Sequence, residues 1–177
     1  ISAQDIALWA GRQNQPHQRV IRCMPNTPAF IGCGATGLLA LEAVTADDKL
    51  IAEHIFKSIG TSIWLQSDKE IDAVTALSGS GPAYVFLFLE ELIQGGVDLG
   101  LTEEQAKKLA FATVSGATEL AALSPLPLQT LRANVTSEGG TTAAALDVFA
   151  QDAFTTTVKK AMSAAKKRAA ELANAFS

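Results

Sequence analysis

Ala83-Tyr84-Val85-Phe86-Leu87-Phe88-Leu89, set directly after Ser78-Gly79-Ser80-Gly81-Pro82, is apolar on every side of a helix. A surface helix of a monomer keeps one polar face in water, so this one belongs to the centre of a core or to a subunit interface. Pro82 suits the first helical turn, where an N–H finds no partner within the helix anyway. Everything after about Asp68 continues in this style. Thr102-Glu103-Glu104-Gln105 forms a capping box, and Ala106, Leu109, Ala110, Thr113, Ala117 and Leu120 follow at helical spacing until Pro125 and Pro127. Short helices are predicted over 128–133 and 142–149. Asp152 is expected to cap a last helix with Phe154, Val158, Ala161, Ala165 and Leu172 as its stripe. The basic residues Lys159, Lys160, Lys166, Lys167 and Arg168 read as its solvated face.

Upstream of 66–72 the pattern is different. Residues 19–24 (RVIRCM), 37–41 (GLLAL) and 61–65 (TSIWL) are short, apolar and bounded by Pro, Gly or polar residues, as strands are. Between the second and third lies a predicted helix over 46–59, capped by Thr45, acidic at Asp47 and Asp48, apolar at Ile51, Ile55 and Ile59, and stopped by Gly60. One strand–helix–strand crossover at the edge of an α/β sheet is therefore expected, followed by an all-helical region. The chain begins at Ile1, within what reads as a short helix and without an initiator Met, so an upstream segment is expected to have been removed.

Of 177 residues, 48% are hydrophobic and 18% charged, ample to bury a core against the entropy of ordering. The net charge of −4 argues against a nucleic-acid surface. The apolar run 83–89 is far shorter than the roughly 20 residues that span a bilayer, and no signal sequence opens the chain. Cys23 and Cys33, with no partners at zinc-ligand spacing, read as small core residues in a reducing, cytoplasmic compartment. The two histidines, His17 and His54, lie in the first third, so neither a metal site nor a nucleophilic triad can be assembled in the helical part.

Gly32-Cys33-Gly34-Ala35-Thr36-Gly37 matches G-x-G-x-x-G literally. A dinucleotide loop joins a strand to a long helix, whereas a strand-like segment follows here, so these glycines are read as a turn between two strands. Residues 77–84 (LSGSGPAY) serve either close helix packing or the lining of a site. In Asn134-Val135-Thr136-Ser137-Glu138-Gly139-Gly140-Thr141-Thr142, glycine-freed amides and a helix N-terminus converge, which suits a small anion; an ordinary Thr cap is the alternative.

Three segments together resemble pyrroline-5-carboxylate reductases: Arg22 to Ala29 (RCMPNTPA), Asp72 to Tyr84 (DAVTALSGSGPAY) and Leu131 to Thr142 (LRANVTSEGGTT). The resemblance implies the remnant of a Rossmann domain over 1–67, then an all-helical dimerisation and substrate-binding domain over 68–177. It implies reduction of 1-pyrroline-5-carboxylate, a cyclic imino acid, to L-proline with NADPH or NADH, in a homodimer or larger homo-oligomer. It puts Asn26, Thr27 and Pro28 beside the nicotinamide. It also implies that the substrate carboxylate lies on the amides of Ser137, Gly139 and Gly140, next to Thr141, with the Thr142 hydroxyl close to the ring nitrogen. Hydride chemistry fits the lack of a catalytic histidine, since the cofactor supplies the reactivity and the protein the positioning. A dehydrogenase of the β-hydroxyacid type would need an acid/base, usually a helix Lys after a Gly-rich start, yet none occurs between Gly81 and Lys107. A non-enzymatic helical interaction module is the other alternative.

Overall fold

The computed structural model describes residues 1–11 and 15–175. Two compact units are present, Ile1–Ala83 with Lys160–Ser177, and Tyr84–Lys159. The first contains α1 (Ala3–Ala10), β1 (Ile21–Met24), β2 (Gly34–Ala40), α2 (Ala46–Lys57), β3 (Gly60–Leu65) and α3 (Asp68–Val74). The sheet order is β1-β2-β3. β1 runs antiparallel to β2, with Cys23 opposite Leu38. β2 and β3 are parallel, with Gly34 opposite Gly60. A parallel pair needs a crossover, and α2 is that crossover, as the strand–helix–strand pattern predicts.

The start of α2 follows its capping chemistry: the Asp48 amide donates to Thr45 Oγ1 at 3.2 Å and the Thr45 amide to Asp48 Oδ2 at 3.0 Å. Its buried face departs from the expected stripe. Ala52 is the buried residue, whereas Ile51 and Ile55 are 61% and 58% exposed. A small side chain lets the helix approach the strands, and the isoleucines are left to one side. Cys23 and Cys33 also depart from expectation, for both are exposed free thiols. Cys23 stands on the open face of β1, and Cys33 follows the turn at Gly32.

The G-x-G-x-x-G segment leads into a strand and not a helix. Gly32, at φ 74°, closes the 3₁₀ turn Thr27–Ile31, a backbone state that favours glycine. Gly34 and Gly37 lie inside β2 itself, not in the turn expected of them, because other groups approach too closely for a side chain. A Cβ on Gly37 would stand 2.9 Å from Leu65 Cδ1 and 3.1 Å from Val74 Cγ1. On that face of the sheet Ala3, Leu39 and Ile71 form a core with Met24, Leu41 and Leu65. Arg22 pairs with Asp68, whose Oδ1 also accepts the Ala3 amide at 3.1 Å, joining β1 to the starts of α1 and α3.

α3 does not end in a cap. It widens over Thr75–Gly79 into a π-helical turn, in which the Ser80 amide donates to Thr75 O at 2.8 Å. Then follow α4 (Gly81–Asp98), α5 (Glu103–Leu123), α6 (Leu128–Asn134), α7 (Thr141–Gln151) and α8 (Phe154–Ala175). The Thr102–Gln105 capping box opens α5 as predicted. Asp152, by contrast, does not cap α8. Its amide donates to Val148 O at 2.9 Å and so closes α7. Ala153, at φ 55°, turns the chain, and Phe154 meets Phe149 in a tilted ring contact with centroids 5.2 Å apart.

Large apolar side chains stay uncovered on these helices, among them Phe86, Leu87, Leu109 and Leu120. The run Asp68–Asp98 is by length and composition alone long and apolar enough to cross a membrane, which the stretch 83–89 by itself does not suggest.

Gly60 sets the tightest steric limit in the sheet. Its φ is 146°, and a Cβ there would fall 2.0 Å from Gly34 O. Gly60→Ala is therefore expected to destabilise the fold by at least about 2 kcal/mol. Thermal unfolding of the variant beside the wild type measures this.

Candidate active site

The loop between α6 and α7 carries the residues expected to hold the substrate. Thr136 ties the end of α6, its amide donating to Ala133 O at 3.0 Å and its hydroxyl to Arg132 O at 2.7 Å. Ser137-Glu138-Gly139-Gly140 then forms a tight turn in which the Gly140 amide donates to Ser137 O at 3.0 Å. Gly139 holds the third turn position at φ 67°, where a side chain would be strained. Gly140 is extended and close to the turn: a Cβ on it would lie 2.4 Å from Ser137 Oγ.

α7 begins immediately afterwards. Its first internal bond runs from the Ala144 amide to Gly140 O at 3.1 Å, so the amides of Thr141, Thr142 and Ala143 precede the helical ladder. Gly140 occupies the cap position without a side-chain bond, and neither Thr141 nor Thr142 caps the helix. Partial positive charge thus gathers at an uncapped helix end. Ser137, Gly139, Thr141 and Thr142 are exposed around it. The Gly140 amide, which the resemblance assigns to the carboxylate, is committed inside the turn.

The residues expected beside the nicotinamide lie in the first unit. Asn26 precedes the 3₁₀ turn that carries Thr27 and Pro28 at its first two positions. Thr27 is exposed, and so are Phe30 and Ile31, at 91% and 79%. The Asn26 side chain is engaged internally at both ends: Nδ2 donates to Ser78 O at 3.0 Å, and Oδ1 accepts the Ala35 amide at 2.9 Å. This link between the turn and the π-helical segment does not follow from periodicity, although Pro82, four residues after Ser78, is its one visible sign. Small size at Gly79 serves packing, since a Cβ there would lie 2.7 Å from Met24 Cε.

Comparison with known proteins bears on both sets of residues. Residues 68–172 match the family described as pyrroline-5-carboxylate reductase dimerisation, and the chain belongs to that family. Over 98% of its length it is 42% identical to the pyrroline-5-carboxylate reductase of Pseudomonas aeruginosa, of which it covers 62%. Over 97% it is 44% identical to that of Pisum sativum, covering 61%. Among solved structures, the pyrroline-5-carboxylate reductase of Coxiella burnetii superposes with a TM-score of 0.85 at 43% identity, over 93% of this chain and 59% of that one. The Plasmodium falciparum pyrroline carboxylate reductase with NADP bound gives 0.81 at 38% identity, over 84% and 61%. The chain thus spans about three fifths of the curated relatives it matches. The α/β edge followed by helices, expected from the residues, is the fold these neighbours share.

A cleft of about 330 Å³ lies apart from the predicted residues, between Ile21, Val44, Ile51 and Ile55 with Arg19 and Asp48 at its rim. Its charges are satisfied within the protein: Arg19 meets Asp48 through Nε at 3.2 Å and NH2 at 2.7 Å. The Arg19 guanidinium, helped by the Thr45 amide and hydroxyl, holds the Asp48 carboxyl well below the usual carboxylate range. A folded-state value below the unfolded one, about 3.9, adds stability above that pH and loses it as pH falls through the folded value. Asp48→Asn should therefore lower the unfolding midpoint at pH 7, with the gap closing as the pH is taken below about 4. Thermal melts of both proteins across this range would measure it; a gap independent of pH would contradict the assignment.

Proposed function

We propose that this chain supplies the substrate-holding and dimer-forming part of an NAD(P)H-dependent reductase that converts 1-pyrroline-5-carboxylate to L-proline. The observation that carries the reading is the uncapped N-terminus of α7 behind the Gly139–Gly140 turn, within a region matched by the reductase family. In this reading 1–67 is the end of a Rossmann-type domain and 68–177 a dimerisation and substrate-binding domain.

The substrate carries one carboxylate and one imine nitrogen, and the loop offers chemistry for each. Amides at the start of α7, with those of Ser137 and Gly139, receive the carboxylate, while Gly140 shapes the turn and leaves room for close approach. The Thr141 amide completes this edge. The Thr142 hydroxyl, one position into the helix, hydrogen-bonds the ring nitrogen, which gains a proton as its carbon is reduced. Holding both groups fixes the ring's orientation, and that positioning accounts for much of the rate.

The turn at Asn26, Thr27 and Pro28 forms the nicotinamide side. An exposed threonine in the same turn as the exposed, apolar Phe30 and Ile31 suits a flat ring bearing a carboxamide. NADPH or NADH, when bound, supplies the hydride. Among the described residues the only G-x-G-x-x-G enters a strand, so the pyrophosphate cradle is assigned outside this chain. The uncovered apolar surface of α4 and α5 is assigned to a second copy in a homodimer, as the family's description suggests. A cytoplasmic location agrees with free thiols.

Two experiments test these assignments. Calorimetry of the 177-residue chain with NADPH should show no micromolar binding, and such binding would mean the cofactor site has been misplaced. In the full-length enzyme, Thr142→Ala should lower kcat/KM by about 1.5–3 kcal/mol of transition-state stabilisation, while binding of a proline-like carboxylate changes less. Gly140→Val should instead weaken carboxylate binding, since its side chain would displace Ser137. Full turnover in a normally folded Thr142→Ala protein would remove the hydroxyl from the mechanism.

A further inference from the structure

A helical carbonyl normally accepts from the amide four residues on, and for Ser78 that residue is Pro82, which has no N–H. The π-helical turn over Thr75–Gly79 brings Ser78 O instead to Asn26 Nδ2, at 3.0 Å. The other end of the same carboxamide accepts the Ala35 amide at 2.9 Å, which fixes which way the group points. Ser78 is held from its own side as well, with Oγ donating to Val74 O at 3.1 Å. Asn26 is half-buried, so a carbonyl left unpaired here would lose the donor without full access to water.

We propose that Asn26 is a positioning residue whose side-chain amide replaces the N–H missing at Pro82, clamping the turn that carries Thr27 and Pro28 onto β2 and the entry to α4. Its carboxamide is engaged at both ends by that task. The functional part of the proposal rests on the reductase reading: the clamp sets the nicotinamide side through Thr27 and leaves the α7 loop untouched. Asn is the residue that suits it. Aspartate would keep the acceptor toward Ala35 but present a charged oxygen to Ser78 O, and alanine would lose both bonds.

The test is a double-mutant cycle in the full-length protein, because Pro82→Ala returns an N–H to the position that Ser78 O lacks. Asn26→Asp alone should lower the unfolding midpoint by about 3–6 °C. In the Pro82→Ala background the same change should cost at most about half as much. An equal loss in both backgrounds would overturn the replacement of one donor by the other. Asn26→Ala, run through the same cycle, decides the matter if the aspartate variant fails to fold.

Kinetics separate a positioning role from general loosening. Asn26→Asp should raise the KM for NAD(P)H about tenfold while changing the KM for the imine less than about twofold, with partial recovery on adding Pro82→Ala. Equal changes in both KM values, or a loss of kcat in proportion to folded enzyme, would show a merely structural bond. If the wild-type enzyme does not reduce the imine at all, the reductase reading fails, and the melting cycle still decides the clamp by itself.

Discussion

The carbonyl of Ser78 faces a proline where an amide should be, and the geometry around the start of the long apolar helix depends on how that deficit is met. A π-helical turn inserts one extra residue, which rotates every later side chain by about 100° relative to an unbroken helix. The turn costs regular hydrogen bonding, and Asn26 restores part of it from outside the helix. The sequence positions are far apart, 26 and 78, but Ala35 and Met24 lie on neighbouring strands that bring them together. Strand pairing, the tight 3₁₀ turn and the helix entry are thus conditions of one another.

Much of the fold is legible before any coordinates because local chemistry and global architecture agree. Thr45 with Asp48 and Thr102 with Gln105 are reciprocal caps, and each begins a helix where the pattern places it. The parallel pair β2–β3 follows from an apolar run, a capped helix and a second β-branched run. Where the structure departs from the pattern, neighbours decide. Ile51 and Ile55 look like a core stripe by period, but the close approach of α2 to the strands selects Ala52. Asp152 looks like an N-cap by type, yet its amide closes the helix before it, and Ala153 makes the turn. Cysteine's general tendency to be buried said nothing about Cys23 and Cys33, which stand outside the packed faces.

The candidate site divides in the same way. Paired glycines before a threonine-led helix are compatible, from the residues alone, with an anion-holding backbone or with an ordinary Thr cap. In the structure the Gly140 amide bonds Ser137 O, and the amides of Thr141, Thr142 and Ala143 precede the helical ladder. Asn26 was legible as a member of a motif but not in its role, because a side chain's partners 9 and 52 residues away have no local signature. Thr27 and Thr142 are both exposed.

These features share a chemical logic. Hydride transfer to an imine asks little acid or base strength of a protein, because a nitrogen that gains a proton needs only a hydroxyl or water at hand. Selection can therefore act on placement more than on titratable groups. In the proposed reductase the parts assigned to positioning are backbone amides, small residues that permit close approach, and a carboxamide bound at both ends. Each is a rigid device with no charge of its own. Among the described residues the carboxyl held well below its usual range, Asp48, pairs with Arg19 on α2 and is not one of the residues that the proposed reaction uses.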